Sequence, residues 1–295
     1  MKGFVNINKP SGMTSSDVVV KVRGILRRVS GEKQKVGHLG TLDPIGTGVL
    51  PIAVGTATRL FDYMQEKIKV YRTTFVFGKT TDTLDNTGTI TQECGVLPSK
   101  EQICDAASKI CGQIDQIPPQ YSAKSVGGVR AYDLARKGVE VDLKPKTVTV
   151  FYIKAVDRDI DGTPYTLSEN EYAFEIACSS GTYIRSVARD LAGELGTVAY
   201  MSSIKRIKSG DFEICDAVSL TDFEKNPLRY LKTIDYALKS FDRISIDEHQ
   251  KNKALNGLAI KFDNLDSGVY VVESSGDILG IATLSNGLLK FKTRL

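Results

Sequence analysis

Residues 37–55 constrain the fold of this chain more than any other stretch. The segment reads GHLGTLDPIGTGVLPIAVG and holds five glycines and two prolines around a short apolar run. This composition predicts sharply turning, structured backbone rather than an ordinary linker. At its centre, Asp43 stands between Leu42 and Pro44. A carboxylate on a stiff Gly/Pro scaffold is suited to acting as a nucleophile or a base, although Asp before Pro also stabilises turns with no further role.

The glycine-rich segment does not match the common phosphate-binding loops. A Walker loop requires G-x-x-x-x-G-K-[ST], but the spacing from Gly40 to Gly46 is one residue too long and no lysine follows. The run from Gly46 begins like a dinucleotide fingerprint, yet Pro51 stands where the third glycine belongs. We therefore expect no cofactor.

Charge is distributed unevenly along the chain. The formal net charge of the 295 residues is only +4. Residues 1–36 alone carry eight basic and two acidic residues, which is a local charge of +6. A one-sided excess of this kind is typical of a face that meets a polyanion, and also of a solvated helix face.

Cysteine use and hydropathy indicate where the protein works. Its five cysteines form no C-x-x-C pair and there are only two histidines, so no zinc-type cluster is predicted. The N-terminus lacks the apolar region of a signal peptide, and no apolar run approaches the 18 residues of a membrane span. We expect a cytoplasmic protein with reduced thiols, no metal and no membrane contact.

Local patterns predict the elements that surround residues 37–55. GFVNI near the N-terminus indicates a strand, and Thr14 to Ser16 offer caps for a helix with apolar residues at helical spacing. VYRTTFVF (70–77) and YAFEIACS alternate as strands do. Thr182 is the expected cap of a further helix that ends at Gly196.

Arg185 falls in the first turn of that last helix, where a cation opposes the helix dipole. An anion from elsewhere in the chain would hold it there. If that anion is Asp43, the pair keeps the carboxylate ionised and oriented. The alternative is an ordinary surface arginine.

Four tyrosines lie near basic residues: Tyr71, Tyr121, Tyr132 and Tyr183. Aromatic rings interleaved with Arg and Lys stack nucleobases and bind phosphates. Tyrosine is equally common in cores and rims, so each position alone is weak support.

Five segments combine the features described so far: NKPSGMTSSDVV (8–19), GHLGTLDPIGTGVLPIAVGTATR (37–59), KVYRTTFVFGKTTDTLDNTG (69–88), PPQYSAKSVGGVRAYDLARKG (118–138) and CSSGTYIRSVARDLAGELG (178–196). Together and in this order they resemble the TruB-type bacterial tRNA pseudouridine synthases. The resemblance implies isomerisation of uridine to pseudouridine in the T-loop of tRNA, at position 55 of conventional tRNA numbering. It implies no cofactor and no metal, and we expect a monomer that binds the tRNA T-arm.

Motif positions carry the family's residue roles onto this chain. Asp43 matches the catalytic aspartate and Arg185 the arginine that pairs with it. Tyr71 matches the tyrosine that stacks on the target base, Tyr183 a second base-contacting tyrosine, and His38 a histidine that helps hold the extruded bases. Ile204 stands where a leucine commonly packs against the active site. Lys9 and Lys124 match lysines of two other family motifs. For the two lysines, the expected roles are structural or RNA-positioning.

The resemblance also implies the architecture. We expect an α+β catalytic domain over residues 1–240, with a mixed, largely antiparallel central sheet, flanking helices and the cleft across its middle. After residue 240, short strands separated by SGD and SNG turns predict a small β module. This module, residues 241–295, looks like the all-β PUA-like RNA-binding domain that ends many family members. Residues 118–138, with the hinge-like pair Gly127 and Gly128, are expected to form a mobile flap.

The chain departs from the family pattern at four positions. Tyr200 replaces a histidine, Lys205 replaces the first of two arginines, Ile204 stands for leucine, and Gly46 stands where alanine is frequent. Lysine lacks the planar fork of arginine, so an RNA contact by Lys205 is less expected.

Two other functions compete with the main hypothesis. A tRNA-binding or tRNA-folding protein that lost catalysis would not need a carboxylate facing polyanion, so Asp43, Tyr71 and Arg185 argue against it. A carbohydrate hydrolase would need a second carboxylic acid for the leaving group, and none is evident beside Asp43.

Overall fold

The structure is a computed structural model that describes residues 1–65, 68–122, 124–139 and 141–295. The strands are β1 (Gly3–Lys9), β2 (Val36–His38), β3 (Thr47–Val54), β4 (Lys69–Phe77), β5 (Lys79–Thr81), β6 (Ile90–Glu93), β7 (Gly112–Gln116), β8 (Ser125–Val126), β9 (Val129–Arg130), β10 (Lys146–Ala155), β11 (Glu171–Cys178), β12 (Ala199–Ser209), β13 (Phe212–Glu213), β14 (Arg243–Ser245), β15 (Ile260–Lys261), β16 (Gly268–Ser274), β17 (Asp277–Ser285) and β18 (Leu288–Arg294). The helices are α1 (Ser15–Ser30), α2 (Phe61–Gln65), α3 (Lys100–Lys109), α4 (Ala131–Ala135), α5 (Ile184–Glu194), α6 (Leu220–Lys225), α7 (Ile234–Ala237) and α8 (Glu248–Leu255).

Within the described residues, nine strands form the central sheet. Seven follow the order β1-β3-β12-β4-β11-β10-β7, while β2 pairs with β3 and β13 pairs with β12. Every pairing is antiparallel except that of β3 with β12, which is parallel. The predicted mixed, largely antiparallel sheet is therefore confirmed. Strand β4 lies near the middle, and alternate residues from Tyr71 to Phe77 are buried on one face, as their spacing predicts.

Helices cover the sheet through their apolar stripes. Helix α1 begins after Thr14, one of the predicted caps, which forms a capping box with Asp17. Its buried residues, such as Val18 and Val22, pack against β1 and β3. Helix α5 packs its stripe against β4 and β11 and shares that core with α3.

The start of α5 differs from the prediction. The N-cap residue is Tyr183 rather than Thr182, and no side chain caps the helix. The Thr182 hydroxyl instead donates to the carbonyl of Ser179 at 2.9 Å and closes the preceding turn. The buried side-chain amide of Gln116 accepts from the backbone amide of Tyr183 at 2.8 Å and donates to the Tyr183 carbonyl at 3.2 Å. This long-range contact fixes where the helix begins.

A second sheet follows residue 240, with strand order β14-β16-β17-β18-β15 among the described residues. The predicted β module is confirmed, with α8 as an added helix. Asn286 and Gly287 take the positive φ angles that a two-residue hairpin turn requires. Val271 and Ile281 of this sheet join Ala57 and Leu60 in one apolar cluster. The boundary between residues 240 and 241 stays a prediction.

Residues 118–138, apart from Ala123, form a short hairpin and a helix. Gly127 and Gly128 have φ values of 58° and 84° and make the turn between β8 and β9, so they are hairpin-turn residues rather than a hinge. The mobility of this segment stays a prediction. None of the helices in the described parts of the chain is long and apolar enough to cross a membrane.

Candidate active site

Asp43 lies on the loop between β2 and β3, and backbone contacts hold this loop on both sides of it. The Gly46 amide donates to the Asp43 carbonyl at 2.9 Å, and the Gly12 amide donates to the Pro44 carbonyl at 2.9 Å. Ser15 donates to the Leu42 carbonyl and accepts from its amide. The backbone thus makes the turn without the Asp43 carboxylate, which is left to bind elsewhere. A role for Asp43 as a turn residue only is therefore wrong.

Arg185 binds that carboxylate in a bidentate pair. Its Nε lies 2.9 Å from Oδ2 of Asp43, and its Nη2 donates to Oδ1 at 2.9 Å. Two parallel charge-assisted bonds fix the orientation of a carboxylate as well as its charge. The Arg185 side chain is only 6% exposed and also donates to the carbonyls of Thr83 and Tyr121. The alternative of a surface arginine is wrong.

A second carboxylate, Asp85, was not found by sequence reasoning. Its Oδ2 lies 3.6 Å from Nη1 of Arg185, so the guanidinium sits between two acids. Its Oδ1 accepts hydrogen bonds from the backbone amide and the hydroxyl of Thr87 and from the hydroxyl of Thr83. The only signal was its place in the acidic, threonine-rich run TTDTLDNTG (80–88). Asp85 is buried and fully engaged, which suits it to hold Arg185.

Lys9 holds the Asp43 loop through hydrogen bonds to backbone carbonyls. Its side chain is fully buried, and Nζ donates to the carbonyls of Pro10, Met13 and Pro44 at 2.9, 2.5 and 3.1 Å. All three ammonium protons are thereby used inside the protein. The geometry gives Lys9 a structural part and leaves no donor for RNA.

Arg206 supports the same loop from the sheet and was also not singled out by sequence reasoning. It is fully buried and donates to the carbonyls of Val49, Thr41 and Gly40 at 2.7, 3.3 and 3.1 Å. It therefore ties β12 to the backbone that leads into Asp43. The partners lie more than 150 residues away in sequence, so no local pattern signals them.

A cavity of about 270 Å³ opens beside the Asp43–Arg185 pair. Four other predicted site residues line it together with the pair: His38, Tyr71, Tyr183 and Ile204. Tyr71 is buried, which raises the pKa of its phenol to about 12, and burial likewise raises the pKa of Tyr183. Both rings are therefore neutral near pH 7 and present apolar faces with a hydroxyl.

His38 lies between this cavity and a second one of about 410 Å³, and it lines both. Burial and the nearby Arg206 and Lys69 charges lower the pKa of His38. Its Nδ1 is buried without a hydrogen-bond partner. The ring is therefore neutral near pH 7.

Lys124, like Lys9, is a predicted site residue that does not line the cavity. Its Nζ donates to the carbonyl of Lys144 at 2.7 Å and ties the hairpin region to the start of β10. Tyr121 contributes only its backbone carbonyl to Arg185, and Tyr132 is exposed beside Arg136. Of the four tyrosines near basic residues, two reach the site.

Two of the four departures from the family pattern meet in space. A Cβ on Gly46 would lie 3.2 Å from the Asp43 carbonyl oxygen and 3.4 Å from Cγ2 of Ile204. The branched Ile204 thus fills space beside Gly46 that an alanine methyl would crowd. Lys205 binds Asp159 at 2.7 Å and so anchors the acidic excursion of residues 157–171.

Among the residues that the structure describes, no three or more His, Cys, Asp and Glu side chains are arranged to hold a metal ion.

Two solved structures share this fold over 99% of the chain. One is the structure of an H/ACA RNP bound to a substrate RNA containing 2′-deoxyuridine, with TM-score 0.72, 19% identity and 84% of that chain covered. The other is a Cbf5-Nop10-Gar1 complex, with TM-score 0.71, 21% identity and 84% of that chain covered. Identities this low establish the fold alone.

Sequence comparison is more specific. The profile described as TruB family pseudouridylate synthase (N terminal domain) matches residues 27–184. A relative from Clostridium kluyveri named tRNA pseudouridine synthase B is 41% identical over 88% of this chain and 86% of its own length. A relative of the same name from Lactobacillus johnsonii is 39% identical over 92% of this chain and 91% of its own length. The chain belongs to the TruB family of pseudouridylate synthases.

Proposed function

We propose that this protein isomerises uridine to pseudouridine in the T-loop of tRNA, at position 55, with Asp43 as the reacting carboxylate. The observation that carries the proposal is the bidentate Asp43–Arg185 pair at the wall of a cavity flanked by Tyr71 and Tyr183. The relatives named tRNA pseudouridine synthase B support tRNA as the substrate.

The reaction breaks the bond between C1′ and N1, turns the base and joins C1′ to C5, which releases the C5 proton. A base stacked within the T-loop cannot be reached, so it must first be extruded into the cavity. The Asp43 carboxylate then acts on the ribose, as a nucleophile at C1′ or as a base. Arg185 fixes the orientation of this carboxylate through the bidentate pair.

The remaining cavity residues suit a held base. The neutral phenols of Tyr71 and Tyr183 offer stacking faces, and Ile204 closes the apolar wall. His38 lines two neighbouring cavities, and its proposed role is to help hold the extruded loop bases. Lys9 and Lys124 act by fixing backbone, through the contacts described above.

A single carboxylate is enough for this reaction because the detached base is kept and re-used. Among the described residues that line the cavity, Asp43 is the only acid. Inverting and retaining glycosidases require two carboxyl groups across the scissile bond. The lining therefore favours isomerisation over hydrolysis.

We assign catalysis to residues 1–240 and accessory RNA binding to residues 241–295, in a monomer that works in the cytoplasm. The test is incubation of the protein with an unmodified tRNA transcript, followed by mapping of pseudouridine by carbodiimide reaction or mass spectrometry. Pseudouridine at position 55, and none in a transcript with cytidine there, supports the proposal. Tight tRNA binding with no pseudouridine would contradict it in favour of a binding or folding protein.

A further inference from the structure

Two buried cations converge at Gly40, at one side of the cavity. A Cβ on Gly40 would lie 3.2 Å from Nζ of Lys69 and 3.6 Å from Nη1 of Arg206. Lys69 is 9% exposed and Arg206 is fully buried. In the described parts of the chain, neither forms an ion pair with a carboxylate. This is unusual because a buried charge is normally paired.

Donor counting separates the roles of the two cations. Arg206 directs its guanidinium nitrogens at three backbone carbonyls, so it contributes charge but is already bound. Lys69 has three N–H donors, and within the described residues it uses one of them, toward the Ser180 hydroxyl at 3.2 Å. Two donors remain on a side chain that lines the cavity.

A third cation lies at the rim beside Lys69. Gly181 lines the cavity with a φ of 87°, and a Cβ there would lie 2.7 Å from Nζ of Lys146. Lys146 is exposed. Together Lys69, Lys146 and Ser180 form what we term the rim cluster, with one cation inside the cavity and one outside.

The rim cluster is separate from the catalytic pair. Burial, together with the charges of Arg206 and Lys146, lowers the pKa of Lys69 to about 8. Among the described residues, no ion pair joins Lys69 to Asp43 or to another carboxylate, so the charge of this amine is not compensated there. The free protein therefore holds unfavourable positive charge that a bound anion would relieve.

We propose that the rim cluster binds one backbone phosphate adjacent to the uridine that enters the cavity. The inference rests on the proposed function, because it takes the ligand to be substrate RNA. A neutral uracil ring does not match a set of uncompensated cations, whereas a phosphodiester carries a full charge and accepts several hydrogen bonds. Lys146 at the rim also meets a strand that passes outside the cavity rather than a base inside it.

The test is a binding cycle between protein and RNA changes. A T-arm RNA is made with a neutral methylphosphonate in place of the phosphate 5′ or, in a second RNA, 3′ of the target uridine. Dissociation constants are measured by fluorescence anisotropy in an Asp43→Asn background, so that the RNA stays unreacted. We expect one of the two RNAs to bind about tenfold to a hundredfold more weakly, as for loss of a hydrogen bond to a charged group.

Lys69→Met provides the second side of the cycle. It should bind the all-phosphate RNA as weakly as the parent binds the methylphosphonate RNA, with no further loss when both changes are combined. The variant should also unfold at the same or a higher temperature, because an unpaired buried charge is removed. Lys69→Gln serves the same purpose if the methionine variant does not fold.

Lys154 supplies the matched control, since it is exposed on the same strand as Lys146. Lys146→Met should lower the methylphosphonate penalty, whereas Lys154→Met should leave it intact. The proposal would be overturned if the loss of affinity caused by Lys69→Met added fully to the loss caused by each of the two methylphosphonate RNAs. It would also be overturned if Lys69→Met bound the all-phosphate RNA as tightly as the parent does. Failure of the proposed function would be seen separately, as absence of pseudouridine formation by the unaltered protein.

Discussion

Arg185→Lys is the substitution that most sharply separates geometry from charge at the site. Arginine reaches both oxygens of Asp43 at 2.9 Å and two backbone carbonyls at 3.0 and 3.1 Å. Lysine keeps the positive charge but presents one ammonium group, which cannot form the parallel pair of bonds. The Asp43 carboxylate keeps a cationic partner but loses its fixed orientation.

The size of the effect follows from the contact that is lost. One hydrogen bond between charged groups contributes about 1.5–3 kcal/mol. If that bond orients Asp43 in the transition state, the rate falls about tenfold to a hundredfold, since each 1.36 kcal/mol is a factor of ten. RNA affinity should change by no more than about twofold, because the guanidinium is only 6% exposed and its hydrogen bonds are made inside the protein.

The assay is tritium release from C5-labelled uridine in tRNA under single-turnover conditions, with binding measured in parallel. A large fall in rate at nearly constant affinity is the expected result. Thermal unfolding of the variant verifies that it is folded at the assay temperature. An unchanged single-turnover rate, or equal losses of rate and affinity, would refute the orienting role of Arg185.

Three other substitutions test the surroundings of the site. Lys9→Met should lower kcat more than it raises KM, and should destabilise the fold by about 1–3 kcal/mol, because three buried carbonyls lose their donor. A melting temperature and a kcat identical to those of the parent would contradict this. Gly46→Ala should lower the rate, because the added Cβ would lie 3.2 Å from the Asp43 carbonyl oxygen and 3.4 Å from Cγ2 of Ile204. Adding Ile204→Leu removes only the second contact, so it should recover part of the lost rate. No recovery in the double variant would show that the two positions are not coupled. Arg27→Gln should reduce the slope of log K for tRNA binding against log salt by about 0.7–0.9. Arg28→Gln should reduce this slope by less, because Arg28 already binds Glu224. Equal slopes for the parent and the two variants would assign this face to solvent.

Local sequence patterns were sufficient for the elements that depend on neighbours in the chain. The alternation around Tyr71 gave a correct strand, and Thr14, one of the predicted caps, is the N-cap of α1. The start of α5 was misplaced by one residue because the capping preference of Thr182 lost to a contact from Gln116, 67 residues away. Such tertiary contacts override local propensity and leave no trace in a single segment.

The site shows the same division. Asp43 and Arg185 stood out by composition and by position in a helix, and the structure brings them together. Asp85 and Arg206 did not stand out, because a buried ion derives its role from partners that only the fold supplies. The meeting of Lys69 with Arg206 at Gly40 depends on three separate segments and is visible only in three dimensions.

Asp43→Asn is the measurement that tests the central claim most directly. The substitution keeps the size of the side chain and removes its charge, while the cavity and its tyrosines remain. With an unmodified tRNA transcript, the unaltered protein should form pseudouridine at position 55, and the variant should bind the transcript and form none. Equal amounts of pseudouridine from the two proteins would contradict the assignment of Asp43 as the reacting group.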